Sequence, residues 1–214
     1  MRPAEPERDY RELVKQTYDL IAEDYSRGRF KEADDARFLA PLVERLAPDA
    51  RVLDLGCGAG VPITRALAEH CDVTGVDFSL RQLALARTQV PRARFVQADI
   101  VTCEFSPGSF DAVVSFFAIF HVPRENHADL FRRIQGWLKP GGYFLATFAL
   151  DDEAGYTEGD YFGREMFWSN YGIDQYRRLL AETGFEVRDA GIIADDPATG
   201  VSPERHPVVF AQKA

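Results

Sequence analysis

The sequence predicts an α/β fold: a doubly wound, parallel β-sheet with helices on both faces and a helical segment in front of it. Three observations carry this. Short apolar runs of strand length recur at 51–55, 73–76, 94–97, 111–117 and 143–148, with helical periodicity between most of them. The first run opens into closely spaced glycines, Gly56, Gly58 and Gly60. The second and third end in acids, Asp77 and Asp99. Strands joined through helices run parallel and are covered on both faces, and ligands of such sheets sit just past the carboxyl ends of the strands.

Each element has its own signal. From Asp9 to Tyr25, Leu13, Val14, Tyr18, Ile21 and Tyr25 share one broad helical face, and Ser26-Arg27-Gly28 breaks the pattern. A second helix places Phe38, Leu39, Leu42, Val43 and Leu46 at helical spacing and stops at Pro48-Asp49. Arg51 to Leu55 is the first strand. Pro62 suits the first turn of a helix reaching about His70. Val73 to Val76 is the second strand, and Ser79 can cap a helix to about Thr88. Arg94 to Gln97 is the third strand, and Asp111 to Phe117 the fourth, followed by a helix to about Leu138. Lys139-Pro140-Gly141-Gly142 reads as a turn before a fifth strand, Tyr143 to Phe148. Residues 151 to 172 have no clean period and are rich in glycine, acids and aromatics, the composition of a loop or lid. Asp174 to Thr183 is a helix ended by Gly184, and Phe185 to Ile193 and Pro207 to Gln212 complete the sheet. The expected organisation is one domain over 1–214: a helical cap (1–48), a ligand-binding core (49–150), a lid (151–172) and a C-terminal helix with strands (173–214).

Composition narrows the function. The 214 residues are 46% hydrophobic and 28% charged, ordinary for a folded globular chain. Lys and Arg number 25 against 34 Asp and Glu, a net charge of −9. That balance argues against a nucleic-acid partner, which needs a basic face. The most apolar stretch, Ala112 to Val122, is interrupted by Ser115 and His121 and is too short to span a membrane. Met1 to Asp9 lacks the apolar core of a secretory signal. Cys57, Cys71 and Cys103 form no CxxC pair, so a reduced cytoplasmic compartment is expected and no metal site is.

The glycine loop, Val52-Leu53-Asp54-Leu55-Gly56-Cys57-Gly58-Ala59-Gly60, allows a ligand to lie against bare main chain. A P-loop would end in Gly-Lys-Ser/Thr, but Gly60 is followed by Val61-Pro62-Ile63. The dinucleotide fingerprint spaces its glycines G-x-G-x-x-G/A, and here the third comes one residue early. What remains is an adenosyl ligand with an amino-acid tail. Asp77, 21 residues after Gly56, stands where a βαβ unit places an acid against ribose hydroxyls. Asp99 is suited to accept from an adenine amino group, with Ile100 covering the base.

On these segments, with Phe110 to Val122 and Leu138 to Thr147, the chain resembles the class I S-adenosylmethionine-dependent methyltransferases. The resemblance implies a Rossmann-like sheet of seven strands with the last antiparallel. It implies that S-adenosylmethionine is the cofactor and S-adenosylhomocysteine its product. It places Asp54, Gly56, Cys57, Gly58 and Gly60 along the methionine end. It places Asp77 and Phe78 at the ribose, Ala98, Asp99 and Ile100 at the adenine, and Ser115, Phe116 and Phe117 along the cofactor. Tyr18 to Tyr25 resembles the family's N-terminal cap. Tyr25 either touches the cofactor tail or is a core-facing aromatic.

The acceptor end is less determined. Ser115-Phe116-Phe117-Ala118 lacks the Asn/Asp-Pro-Pro-Tyr tetrad of enzymes that methylate exocyclic amines of DNA bases or amides. His121 falls where related small-molecule enzymes place a residue near the transferred methyl. Imidazole titrates near neutral pH and can take a proton, although a histidine that only shapes the helix start before Pro123 fits equally. Tyr161 and Trp168, in the aromatic lid, are the expected acceptor-pocket residues. Asp151-Asp152-Glu153 reads as a solvated loop rather than a cation site. The expected partner is a small-molecule acceptor, with no nucleic acid and no membrane, for a monomer or homodimer. Two other readings remain open at this point: a protein that binds S-adenosylmethionine without transferring its methyl, and an RNA or protein methyltransferase.

Overall fold

The structure, a computed structural model, describes residues 9–29, 35–194 and 205–214. The expected cap therefore falls outside the described residues at 1–8 and 30–34. The first helix, α1, spans Tyr10–Arg29 and runs through Ser26-Arg27-Gly28, which does not interrupt it. A 3-10 turn (Asp35–Leu39) leads into a single helical turn, α2 (Ala40–Val43), shorter than the periodicity suggested. Then β1 (Arg51–Leu55), α3 (Ile63–Ala68), β2 (Asp72–Asp77), α4 (Leu80–Gln89) and β3 (Arg94–Gln97) alternate as expected. They are followed by β4 (Phe110–Ser115), α5 (His127–Trp137), β5 (Leu138–Thr147), β6 (Glu153–Tyr161), β7 (Arg164–Asn170), α6 (Ile173–Glu182), β8 (Phe185–Ala194) and β9 (Arg205–Lys213).

Seven strands form one sheet in the order β3-β2-β1-β4-β5-β9-β8. The pairs from β3 to β5 are all parallel, and β9 is antiparallel to both β5 and β8. Order reverses at β1: one half of the chain winds outward to β3, the other through β4 to β8. Alternate strand residues feed opposite layers. Leu53, Val113 and Phe144 face the layer made by α5 and α6, with Leu130, Phe131, Ile134, Tyr176 and Leu180. Val52, Ala112, Val114 and Leu145 face the other layer, with Leu39, Leu42, Ile63, Leu67 and Val90. Both layers are buried and apolar, and they support the carboxyl edge where the loops of β1, β2, β3 and β4 converge.

Three further segments depart from expectation. After β4 the chain makes two 3-10 turns, Ile119–His121 and Arg124–Asn126, before α5 begins. Pro123 disfavours helix for the residue before it, and Val122 is extended. The turn at 139–142 is absorbed into β5 as an irregularity, with the register shifting between Phe110 and Ala112 and Gly141 at φ +73°.

The lid is a regular hairpin. Tyr161 pairs with Arg164 across Phe162-Gly163, which have φ +52° and +71°, the handedness of a two-residue hairpin turn. Its β6 strand is exposed along almost its whole length and so shows no period-2 apolar pattern. Met166 and Phe167 of β7 are buried in a separate cluster with Val14 of α1. The hairpin thus closes against the first helix and not against the main sheet.

Candidate functional site

The glycine loop is strapped to the next strand: the N–H groups of Gly56 and Cys57 both donate to the Val76 carbonyl, at 2.8 and 3.0 Å. Gly56 has φ +73°, and a Cβ there would lie 2.3 Å from the Cβ of Ala118. Only glycine lets the loops after β1 and β4 approach so closely. The Gly58 N–H donates to Asp77 Oδ2 and the Ser79 N–H to Asp77 Oδ1, each at 2.9 Å. Burial pushes the Asp77 carboxyl up to about 6 in spite of these bonds. Asp54, 2% exposed, accepts from Thr64 Oγ1 at 2.6 Å, and burial pushes it up to about 7. The Cys57 thiol is likewise raised by burial, and its Sγ lies 2.8 Å from where a Cβ on Gly75 would stand, so it fills space against β2.

These loops wall a cleft that opens to solvent. Asp54, Gly56, Cys57 and Gly58 form one end of it, followed by Asp77 and Phe78. Ala98, Asp99 and Ile100 line the β3 end, and Phe116, Phe117 and His121 the side beyond β4. Tyr25 borders it from α1. Thirteen of the expected site residues therefore meet around one space.

Four lie behind it. Gly60 faces away, its Cβ position 3.1 Å from Val90 and 3.4 Å from Ala86. Ser115 is fully buried and donates to the Leu55 carbonyl at 3.0 Å, tying β4 to β1. Tyr161 and Trp168 do not border the cleft; they stand behind residues that do. Tyr161 Oη is 3.5 Å from Tyr18 Oη, and the Trp168 ring lies 4.4 Å from the His121 ring. The hairpin is the reason, because pairing in β6–β7 fixes these rings against α1 and the turn after β4.

Helix α1 is fastened over the cleft. Ser79 Oγ donates to Asp19 Oδ1 at 2.6 Å, Arg81 pairs with Glu23, and Arg11 Nη1 reaches Asp99 Oδ2 at 3.1 Å. Asp99 also takes the Val101 N–H on Oδ1 at 2.8 Å. Phe117, at φ +57°, is a non-glycine residue in the left-handed region, held there by its N–H donating to Thr147 Oγ1 at 2.6 Å. In the expected acidic run, Asp152 is ion-paired with Arg124 at 2.6 Å.

The protonation of His121 follows from its partners. Its Nδ1 is 2.9 Å from the Phe167 carbonyl, which only accepts, so Nδ1 carries the hydrogen. Burial holds its pKa down to about 4, so the ring is neutral near pH 7 and Nε2 is a bare lone pair. Tyr18 Oη, 2.9 Å away, donates to it. Burial, reinforced by Tyr161 and Tyr25, raises Tyr18 well above an ordinary phenol.

Sequence reasoning did not single out Tyr18, Gln82 or Arg11, all of which border the cleft. Tyr18 could have been found, since it lies seven residues before Tyr25 and shares its helical face. Gln82 offers no such signal. It is 1% exposed, and neither its Oε1 nor its Nε2 has a hydrogen-bond partner among the described residues. A buried amide left unbonded is costly, so its position on the cleft marks a place where a ligand completes it. Two buried carboxylates, this amide and an uncovered glycine backbone suit the ribose hydroxyls and the ammonium of S-adenosylmethionine. The residues present fit that cofactor.

Comparison with known proteins agrees. Residues 52–142 match the methyltransferase domain family. Over 157 residues the chain is 29% identical to phosphoethanolamine N-methyltransferase 3 of Arabidopsis thaliana, covering 71% of this chain and 31% of that protein. It is 28% identical to sterol 24-C-methyltransferase of Clavispora lusitaniae, covering 87% of this chain and 57% of that protein. The chain thus spans about a third to somewhat over half the length of these relatives. The fold matches 1,6-didemethyltoxoflavin-N1-methyltransferase of Burkholderia thailandensis, with a TM-score of 0.73 over 100% of this chain and 93% of that one at 20% identity.

Proposed function

We propose that the chain is a class I S-adenosylmethionine-dependent methyltransferase and that it transfers a methyl group from that cofactor to a small organic acceptor, releasing S-adenosylhomocysteine. What supports this is one cleft that brings Asp54, Asp77 and Gln82 together with the hydrogen-bonded pair Tyr18 and His121.

When bound, S-adenosylmethionine supplies an electrophilic methyl carbon on a sulfonium. Asp77 and Gln82 would hold the ribose, Ala98, Asp99 and Ile100 the base, and the glycine loop with Asp54 the amino-acid end. The chain's own contribution to the reaction is orientation, dryness and a proton path. The acceptor O–H or N–H bonds to Tyr18 Oη. As the acceptor atom gains the methyl carbon, its proton passes to Tyr18 Oη and the Tyr18 proton passes to His121 Nε2. Tyr18 ends neutral and His121 ends as the imidazolium, held by the Phe167 carbonyl. Helix α1 and the hairpin pack around this pair.

Tyr18, Tyr25 and Phe117 make this side of the cleft aromatic, and the cation on it among the described residues, Arg11, is tied to Asp99. That favours a neutral acceptor over the phosphorylated amine named for the plant relative. The net charge of −9 supports a small molecule rather than nucleic acid, and three free thiols support a reduced, cytoplasmic setting. Calorimetry with S-adenosylmethionine, followed by S-adenosylhomocysteine release across a panel of neutral hydroxyl and amine acceptors, tests the reading. Saturable binding and turnover of a panel member are expected. Tight binding with no turnover of any acceptor would reduce the chain to a cofactor-binding protein.

A further inference from the structure

A second buried histidine stands outside the proton path. His127, at the start of α5, is 0% exposed. Its Nε2 is 2.9 Å from the Val122 carbonyl and therefore carries the hydrogen. The Ile119 carbonyl also acts on the ring. Its Nδ1, left bare, accepts from Tyr176 Oη of α6 at 3.1 Å. Tyr176 Oη in turn accepts the Tyr171 N–H at 3.2 Å. Ile119 and Val122 bracket the single 3-10 turn that carries His121.

The bonds close into a circuit. From His121 Nδ1 the path goes to the Phe167 carbonyl, along β7 to Tyr171, across to Tyr176, to His127, and back to Val122 beside His121. Ser169 Oγ, within the same stretch, accepts the Arg124 N–H at 3.0 Å. The turn bearing His121 is therefore held from the hairpin side and from the α5–α6 side at once. Each histidine has one tautomer that satisfies its partners, and each carbonyl in the circuit accepts.

We infer that His127, oriented by Tyr176, is a positioning residue that fixes the ring orientation and tautomer of His121. The inference rests on the reading of His121 as the proton acceptor. Its logic is geometric. The Tyr18 proton can move only onto a bare Nε2, and that atom is presented only while the Ile119–His121 turn keeps Nδ1 on the Phe167 carbonyl. Loosening Val122 frees the turn to rotate and lets the ring flip.

The test needs no acceptor. Protein labelled with ¹⁵N-histidine is saturated with S-adenosylhomocysteine, and the ring nitrogens of His121 are read by NMR beside the thermal midpoint. The wild type should show His121 as the Nδ1–H tautomer alone. His127→Asn, whose amide reaches the Nδ1 place, and Tyr176→Phe should each shift the His121 tautomer ratio by about tenfold or more toward a mixture, the equivalent of one pKa unit of interaction. His127→Gln, whose amide nitrogen reaches the Nε2 place, should keep the single tautomer. If both variants lower the thermal midpoint and His121 stays in one tautomer, the circuit is merely structural and the inference is overturned. Should His127→Asn fail to fold, Tyr176→Phe decides alone, because its ring still packs on Phe148 at 4.4 Å. A wild type that binds no S-adenosylhomocysteine sinks the methyltransferase reading instead, and the tautomers of the free protein still decide the positioning role.

Discussion

At Tyr18 the hydroxyl proton has a built acceptor, the bare Nε2 of His121, and the two side chains come from elements 103 positions apart in the chain. Removing either breaks the proton path while leaving the nucleoside end intact. His121→Ala should lower kcat by about 10²–10⁴-fold with cofactor affinity unchanged, measured by initial rates and calorimetry in parallel. Tyr18→Phe should follow the same pattern, because the acceptor proton then has no route to His121. The pH dependence divides in the same way. His121 is held down to about 4, so kcat should stay level until the pH nears that value. Asp54 and Asp77 are raised to about 7 and about 6, and lose their charge as the pH falls through those values. A cationic cofactor binds their ionised forms better, so its KM should rise as the pH drops below about 7. A kcat that falls with an ordinary imidazole midpoint would show that His121 is wet in the working enzyme.

Ser79 shows how an element is tied to the site. Its Oγ accepts the Gln82 N–H at 3.1 Å, capping α4, and donates to Asp19 of α1. Ser79→Ala removes both bonds. The expected cost is about 1 kcal/mol for the cap, read from the denaturant midpoint, together with weaker cofactor binding as α1 loosens. The cap was legible because a serine ahead of a helical pattern has a local cause. The β6–β7 hairpin was not. An exposed β6 has no reason to alternate apolar and polar residues, and Phe162-Gly163 is not one of the dipeptides that announce a tight hairpin. Its buried residues, Met166 and Phe167, take their meaning from Val14, some 150 positions earlier in the chain. For the same reason Tyr161 and Trp168 were expected on the acceptor pocket and stand one layer behind it.

For the molecule as a whole, four buried titratable groups oppose one another. Asp54 and Asp77 bind protons more tightly folded than unfolded, so they favour the folded state at low pH and lose that contribution as the pH rises from about 4 to about 7. His121 and His127, both held to about 4, bind protons less tightly folded, so their contribution grows over nearly the same range, up to about 6.5. The free protein should therefore show a nearly level thermal midpoint from pH 5 to 7. The extra stabilisation by S-adenosylmethionine should increase with pH, because ligand binding then draws on ionised Asp54 and Asp77. Scanning calorimetry with and without ligand checks both, and a ligand-induced shift that shrinks toward pH 8 would contradict the assignment of these carboxylates.

By itself the sequence determined the strand order's raw material, the glycine loop and the acids at the ends of β2 and β3. These are local features: a strand followed at once by a turn needs glycine there, and a strand end places its next side chain at the sheet edge. Tertiary structure alone decided that Gln82 faces the cleft with no partner among the described residues, that Gly60 and Ser115 face away, and that Tyr18 meets His121. It also decided which nitrogen of His121 and which of His127 is bare. Those outcomes depend on desolvation and on partners brought together from distant parts of the chain, and neither leaves a mark in the spacing of residues along it.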